Sequence, residues 1–261
     1  MFRLTREVRF AINSGAHAPA SPNGHGGSPA VQGLARFFIV QVTMAGDLDS
    51  QSSYLRNIKD IDTPVRALAM PALAGLIDEG RFSYAGAIRA VYAALRGAWP
   101  GTPVTKLELA LSPYQSVAIL PSEPHMIRLS QRFEFSAAHR LHNPELDDAT
   151  NRATFGKCNN PHGHGHNYEV QVTLAGTPDA AGALLPVHEF ESIVDTHAIN
   201  LLDHKFLNIE VDAFRSLNPS VENIAKVIYG LLKAPLTRPH CKLAGVTVWE
   251  TPKTWCEYTE E

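Results

Sequence analysis

One stretch, residues 158–174, constrains the fold and the chemistry of this chain more than any other. Apolar and polar residues alternate along residues 169–174, which predicts a half-buried β-strand. Extending the alternation backwards places His164, His166 and Tyr168 on the same face as the apolar residues. The core face of this predicted strand therefore begins with two imidazoles.

A second predicted strand, Gln131–Arg140, has the same alternation. One of its faces carries Phe133, Phe135, Ala137 and His139. If the two strands share a sheet, His139 joins His164 and His166 at its rim. Three imidazoles with an open fourth position are the usual ligands of a catalytic zinc ion. The simpler alternative is that these histidines are ordinary polar residues at strand ends.

Five motifs, in order along the chain, resemble the 6-pyruvoyl-tetrahydropterin synthase family. They are Phe135–Leu141, Cys158–Tyr168 with its His-Gly-His, Leu202–Lys205, Pro219–Asn223 and Trp249–Thr251. The resemblance covers about residues 128–258. It implies the tunnelling fold (T-fold), Zn²⁺ held by the three histidines, and a phosphorylated pterin as the substrate.

Length and composition favour a soluble globular protein of one large or two small domains, with 261 residues, 44% hydrophobic and 19% charged. We expect a cytoplasmic protein, because no apolar run resembles a signal peptide or reaches the roughly 18 residues of a membrane span. The three cysteines do not have the spacing of a disulfide framework. The net charge of -3 gives no electrostatic reason to expect a nucleic-acid partner.

The first half of the chain is a degenerate repeat of the second half. Three pairs of segments match: 38–46 with 168–176, 9–14 with 132–136, and 83–92 with 220–229. This pattern indicates an internal duplication with a period near half the chain. We therefore predict a degenerate unit at 1–120, a linker at 121–127 and a catalytic unit at 128–261.

The first copy lacks most of the candidate metal-binding and active-site residues of the second copy. Gly27 stands where the last histidine of the His-Gly-His motif would be, and Leu111 stands in the place of Glu250. His17 and His25 remain, but two imidazoles without a third ligand make a weak zinc site. We expect the first unit to be a packing partner without an active site.

Two helices are predicted in the second copy. The predicted apolar face of the first helix consists of Phe190, Ile193, Val194, His197 and Leu201. The second helix has Ser220 as its N-cap and an apolar face that includes Ile224, Ile228 and Leu232. Each copy is thus predicted to be an α+β unit, an antiparallel sheet with two helices on one face. The resemblance implies that two tandem T-fold units join with other chains into a barrel, which leaves no strand edge exposed.

Cys158 and the Asp203–His204 pair are the candidate catalytic residues. A nearby metal ion and histidine would favour the thiolate of Cys158, which could then act as a base. The alternative role for this cysteine is a fourth, structural zinc ligand. An aspartate beside His204 is typical of a carboxylate that orients a proton-relaying imidazole. Read without the resemblance, the pair is explained as charge placement at a helix C-terminus.

Glu250, Glu222 and Asn223 are the candidate substrate-binding residues. Glu250 follows Val246 and Val248 on one strand face, so a carboxylate occupies a position expected to be apolar. It could accept both N–H groups at the 2-amino-4-oxo end of a pterin, or pair with a lysine at the sheet edge. Glu222 and Asn223 begin the second helix, where they could approach the ligand or cap the helix.

The resemblance implies a zinc-dependent carbon–oxygen lyase that converts 7,8-dihydroneopterin triphosphate to 6-pyruvoyl-tetrahydropterin and triphosphate, without an external redox cofactor. It also implies a homo-oligomer in which the Asp-His pair of one chain completes the site of another. One alternative is 6-carboxytetrahydropterin synthase of the queuosine pathway, which shares the fold, zinc and substrate. The five residues between Cys158 and His164 favour the pyruvoyl type. A third alternative is a non-catalytic pterin-binding assembly protein.

Overall fold

The structure is a computed structural model that describes residues 1–13, 27–31, 35–180 and 182–260. The chain separates into two compact units. The first unit comprises Met1–Leu129 and Gly176–Leu184, and the second comprises Ser130–Ala175 and Leu185–Glu261. The sequence did not predict that Gly176–Leu184 would group with the first unit. Two positions discussed above, His17 and His25, lie outside the described residues. Across the described ranges, no helix has the length and apolar character needed to cross a membrane.

The sheet of the first unit is formed by consecutive antiparallel strands. They are β1 (Phe2–Ile12), β2 (Arg36–Gly46), β3 (Val104–Ala110) and β4 (Gln115–Ile119). Alternate residues of β2 point into the core, where Val40, Val42 and Met44 are fully buried. Phe10 on β1 lies opposite Phe38 on β2, with ring centroids 6.0 Å apart. The period-two pattern of the sequence therefore fixes which strand face is inside.

Two helices of the first unit, α1 and α3, begin at side-chain caps. They are α1 (Ile58–Pro64), a π-helical turn (Val65–Ala69), α2 (Met70–Asp78) and α3 (Tyr84–Leu95). The Asn57 side chain accepts a hydrogen bond from the Lys59 amide at 3.0 Å. The Ser83 hydroxyl accepts one from the Gly86 amide, also at 3.0 Å. Each cap satisfies an amide that has no partner within the helix.

The second unit contains five strands. They are β5 (Ile127–His139), which begins at the end of the first unit, β6 (His164–Gly176), β7 (Lys205–Phe206), β8 (Cys241–Thr251) and β9 (Thr254–Tyr258). The strand order is β5-β6-β8-β9, and β8 pairs with β9 in antiparallel fashion. The short strand β7 pairs with β5 in parallel at Ala137 and Ala138, a feature absent from the predicted antiparallel sheet. Both predicted strands that carry histidines are confirmed, as β5 and β6.

The second unit has more helical segments than the two predicted. They are α4 (Asp148–Phe155), a 3-10 turn (Gly156–Asn159), α5 (Val187–Val194), a π-helical turn (Asp195–Ile199), α6 (Asn200–Leu202), α7 (Leu207–Glu210), a 3-10 turn (Asp212–Phe214) and α8 (Val221–Leu236). The prediction that Ser220 caps the last helix is confirmed, because its hydroxyl accepts from the Asn223 amide at 3.5 Å. Helix α8 packs on β8 and β9. Each of Ile224, Ile228 and Leu232 is fully buried in it, which stabilises the fold by about 1.5–3 kcal/mol per side chain.

The predicted apolar face of the first helix is wrong in its second half. His197 and Leu201 are exposed, whereas Ala198 and Leu202 are fully buried. The cause is the π-helical turn at residues 195–199, in which each turn takes more than 3.6 residues. Buried positions along this segment therefore recur every four residues, and the face moves forward by one residue.

Both units share one order of elements. In each unit two strands are followed by a helix interrupted by a π-helical turn, then a capped helix, and then two more strands; the second unit also has α4, β7, α7 and two 3-10 turns between these shared elements. The π-helical turns occupy residues 65–69 and 195–199. The prediction of an α+β architecture is confirmed for the described residues of each unit.

The π-helical turn generates a test with neighbouring leucines. Leu202 is fully buried and Leu201 is 48% exposed. We expect Leu202→Ala to lower the free energy of unfolding by about 2–5 kcal/mol, because it leaves a cavity in the core. The control, Leu201→Ala, should change it by no more than about 0.5 kcal/mol. Urea unfolding followed by circular dichroism measures both, and equal effects would contradict the shifted face.

Candidate metal centre and active site

Three histidines from two strands meet at one point in the second unit. His139 is the last residue of β5, and His164 and His166 lie at the start of β6 with Gly165 between them. The ring centroid of His139 is 4.4 Å from that of His164 and 5.2 Å from that of His166. The strand alternation puts both β6 imidazoles on the side of the sheet that His139 faces. The structure thus brings together all three predicted metal ligands.

A main-chain carbonyl orients the buried imidazole of His139. Its Nδ1 lies 2.7 Å from the carbonyl oxygen of Pro219, so Nδ1–H donates this hydrogen bond. The opposite nitrogen, Nε2, then faces the cluster and lies 3.0 Å from Nε2 of His164. A histidine held in this way by its outer nitrogen is typical of metal ligands in proteins. The sequence did not reveal the role of Pro219, although this residue opens one of the family motifs.

Glu250 joins the histidines from the end of β8. Its Oε1 is 3.2 Å from Nε2 of His139 and 3.5 Å from Nε2 of His166. One donor atom from each of the four residues lies within 4.8 Å of the others, an arrangement that could hold a metal ion. The partners of this carboxylate are therefore histidines and not the lysine considered as an alternative. The sequence placed Glu250 on the inner strand face but did not predict its contact with His139.

The electrostatics of the cluster suit a cation. Burial, and next the neighbouring His139, lower the pKa of His164 below its ordinary value. Burial also lowers the pKa of His166, although the charge of Glu250 opposes this change. The hydrogen bond to His139 holds the pKa of Glu250 below its ordinary value despite burial. At neutral pH the cluster is thus two neutral imidazoles beside a carboxylate, as metal binding requires.

The contacts of His139 explain how a metal ion would fit. Its contacts to Pro219 and Glu250 can both be hydrogen bonds only if both ring nitrogens carry protons. A metal ion held by Nε2 would take the place of the second proton. In addition, the Nε2 atom of the half-buried His166 is buried and has no hydrogen-bond partner among the described residues. The three imidazoles therefore fit a metal such as zinc, which takes histidine ligands and keeps a fourth position open in catalytic sites.

Tyr168 supports the cluster from the core. It is fully buried on β6, and its ring stacks on Phe135 with the centroids 4.8 Å apart. The ring also lies edge-on to His166, at 5.5 Å. Burial raises the pKa of the Tyr168 hydroxyl far above its ordinary value, so the group stays protonated. This packing supports the imidazole of His166 from the core side.

Cys158 lies in the 3-10 turn Gly156–Asn159 rather than in an open loop. Its carbonyl accepts a hydrogen bond from the Leu141 amide at 2.9 Å. The side chain of Asn159 donates to the Leu141 carbonyl at 2.8 Å, which holds the turn against the end of β5. The free thiol of Cys158 and the side chain of His164 both line a cavity of about 760 Å³. The structure therefore places the candidate base beside a candidate metal ligand.

The Asp203–His204 pair is well ordered, but the metal-ligand group does not include it. Asp203 Oδ2 is 2.8 Å from His204 Nδ1, and Asp203 Oδ1 accepts from the Ser136 amide at 2.8 Å. The Ser136 amide first, and then His204, lower the pKa of Asp203. The His204 side chain is 82% exposed, and its backbone has φ of 57° in the left-handed region. The imidazole is thus oriented by a carboxylate and directed at solvent.

The two candidate residues of α8 differ in their surroundings. Asn223 donates its side-chain amide to the Asn218 carbonyl at 2.8 Å, in the segment that precedes α8. Glu222 is exposed, and after burial its charge is the next cause that raises the pKa of the Cys256 thiol on β9. Glu222 is thus an exposed carboxylate in the first turn of α8.

Known proteins match the part of the chain that carries this site. A family model described as 6-pyruvoyl tetrahydropterin synthase matches residues 128–261. The 6-pyruvoyl tetrahydrobiopterin synthase of Drosophila melanogaster is 42% identical over 131 residues, which are 50% of this chain and 77% of that protein. The enzyme of the same name from Homo sapiens is 38% identical over 135 residues, which are 51% of this chain and 92% of that protein.

A relative with a different name is less similar. The 6-carboxy-5,6,7,8-tetrahydropterin synthase of Haemophilus influenzae is 26% identical over 156 residues, which are 52% of this chain and 100% of that protein. The family model spans half of the chain, and the sequence motifs lie within its range. The predicted resemblance is therefore confirmed, and the chain belongs to the 6-pyruvoyl tetrahydropterin synthase family.

Proposed function

We propose that the protein is a zinc-dependent lyase that converts 7,8-dihydroneopterin triphosphate to 6-pyruvoyl-tetrahydropterin. The observation that carries the proposal is the cavity in which Cys158 and His164 share one wall, next to the convergence of His139, His164 and His166. A base and a metal site in contact with one substrate are what this elimination needs. The higher identity to relatives named for the pyruvoyl product, 42% against 26%, favours that product over the carboxy product.

The reaction balances without an external oxidant. A proton leaves a side-chain carbon, the carbon–oxygen bond to the triphosphate breaks, and the triphosphate departs with the electron pair. The resulting enol becomes a ketone, and the oxidation of the second hydroxyl-bearing carbon is matched by a two-electron reduction of the dihydropterin ring. Cys158 removes the side-chain proton, and His204, oriented by Asp203, passes protons to and from the ring. The metal ion, when bound, supplies Lewis-acid polarisation of the side-chain hydroxyls.

We assign Glu250 to pterin binding at the edge of the metal cluster. Its Oε1 faces the histidines at 3.2 Å and 3.5 Å, which leaves Oε2 to accept from the pterin N–H groups. Glu222 and Asn223 are proposed to contact the same ligand from the start of α8.

The two units are proposed to be tandem T-fold repeats, of which only the second is catalytic. Support comes from the shared order of elements and from the matching π-helical turns. Within the described part of the chain, the one group of donors able to hold a metal lies in the second unit. We propose that several chains join their sheets into a barrel. The exposed His204 would then serve the site of a neighbouring chain.

Zinc content tests the metal assignment. We expect about one zinc per wild-type chain, because three imidazoles and an open position form one catalytic site. His164→Ala and His166→Ala should lose most of the metal, since each removes a ligand. The control is His162→Ala, which removes an exposed histidine two residues from the site. Metal analysis giving two equivalents per chain would show that the first unit also binds zinc.

Glu250→Gln separates pterin binding from metal binding. The amide presents a donor where the pterin N–H groups need an acceptor, so we expect the pterin dissociation constant to rise about tenfold or more. The variant should keep its zinc, because all three imidazoles remain. Fluorescence titration with a pterin and metal analysis measure the two effects. Loss of zinc with unchanged pterin affinity would make Glu250 a fourth ligand.

Mixing two inactive variants tests whether the site is shared between chains. Cys158→Ala and His204→Ala should each keep zinc and lose about 100-fold or more in turnover. After reversible dissociation and reassembly of a mixture, some interfaces combine an intact Cys158 with an intact His204, and activity should partly return. Each variant carried alone through the same cycle is the control. If labelled subunits exchange and no activity returns, the site is built within one chain.

A further inference from the structure

A cationic wall lies next to the candidate catalytic cysteine. The cavity of about 760 Å³ that contains Cys158 and His164 is also lined by Arg140, Arg152 and Lys157. Asp148 is the one acidic residue in that lining, so the wall carries an excess of positive charge. The volume falls within the range of about 300–1,000 Å³ typical of small-molecule sites.

Hydrogen bonds fix the position of Arg140 at this cavity. It directly follows the metal-ligand candidate His139 at the end of β5. The Asn208 side chain accepts from the Arg140 amide at 2.8 Å and donates to its carbonyl at 2.9 Å. The guanidinium Nε donates to the Asn159 carbonyl at 3.1 Å. The backbone and the side chain are thus both fixed, and the two terminal nitrogens remain as a fork of donors.

The other two cations come from the segment that carries the cysteine. Arg152 lies in the last turn of α4, and Lys157 directly precedes Cys158 in the 3-10 turn. Both side chains are exposed at the cavity wall. This segment therefore delivers the thiol and two positive charges to the same cavity.

The arginines of this cavity differ from the other arginines of the second unit in that they form no ion pair with a described residue. Arg132, Arg215 and Arg238 each form an ion pair with a carboxylate. In the described part of the unit, Arg140 and Arg152 form no such pair, and both line this cavity. Asp148 lines the same cavity as Arg152 but forms no ion pair with it. Grouped cations without carboxylate partners repel one another, and a polyanion would relieve the repulsion.

We infer that Arg140, Arg152 and Lys157 bind the triphosphate of the substrate and stabilise it as the leaving group. This inference rests on the proposed function, because it assigns one end of the substrate to the same cavity. When the carbon–oxygen bond breaks, the electron pair passes to a triphosphate oxygen, and the three cations face the added charge. Cys158 and His164 line the same cavity, which would place the reacting carbons near the base, the metal site and the phosphates.

Inorganic triphosphate is the probe for this site. Isothermal titration calorimetry on the zinc-loaded protein should show saturable binding that weakens as salt rises, because the contacts are between exposed charges. Arg152→Gln and Lys157→Gln should each weaken binding about tenfold, and the pair of changes more than either. The control is Lys226→Gln, an exposed cation of α8 outside the cavity lining, which should change nothing. Zinc is measured after each titration, because triphosphate can chelate the metal.

Turnover of dihydroneopterin triphosphate separates this inference from the proposed function. If Arg152→Gln and Lys157→Gln both lose triphosphate binding, the anion site is supported. If the wild-type protein also shows no turnover, the proposed reaction is rejected while the anion site stands. Turnover with unchanged KM, unchanged kcat and unchanged triphosphate affinity in the double variant rejects the anion site and leaves the reaction standing. Absence of triphosphate binding to the wild-type protein at millimolar concentration also rejects the anion site. Both substitutions change exposed side chains, so folding should be preserved.

Discussion

The hydrogen bond between His139 and the Pro219 carbonyl is the interaction on which the second unit's site depends. It links the end of β5 to the segment that precedes α8, over 80 residues of sequence. Because Nδ1 is occupied, Nε2 must face the imidazoles of β6. The same contact therefore fixes a tautomer, a ring orientation and the position of the helix start. A cluster of side chains that could hold a metal ion is therefore built into the packing of the fold.

The neutral and charged groups around His139 follow an order from the core to the surface. Nearest the core, Tyr168 is buried and stays neutral. The imidazoles of His164 and His166 come next, and burial favours their neutral forms. Glu250 supplies a negative charge beside them. The cations of the cavity wall lie outermost, where water and ligands reach them. A substrate with a polar ring and a polyanionic tail matches this order of surroundings.

The sequence could predict features that depend on local periodicity. Alternation along β5 and β6 located the three histidines, and Ser220 before an apolar helix located a cap. It could not predict the π-helical turn, because nothing in the spacing of Phe190, Val194 and Leu201 signals an extra residue per turn. Contacts such as Glu250 with His139 join positions far apart in the chain. They follow from how β5 and β8 are arranged in the sheet, which the sequence pattern leaves open.

The backbone conformation of His204 helps to decide whether the Asp203–His204 pair serves only as charge placement at a helix C-terminus. Helices often end in the left-handed region, but glycine is the usual residue there because other residues pay a steric cost. A non-glycine residue in this region costs roughly 1–3 kcal/mol and persists where its surroundings hold it. Here the His204 amide donates to the Ser136 carbonyl at 2.6 Å, and the Ser136 amide donates to Asp203 at 2.8 Å. Charge placement alone requires neither this conformation nor these bonds, since a lysine one turn earlier would serve equally well. The strain is instead explained if the fold must present an oriented imidazole at the surface, where a second chain can use it.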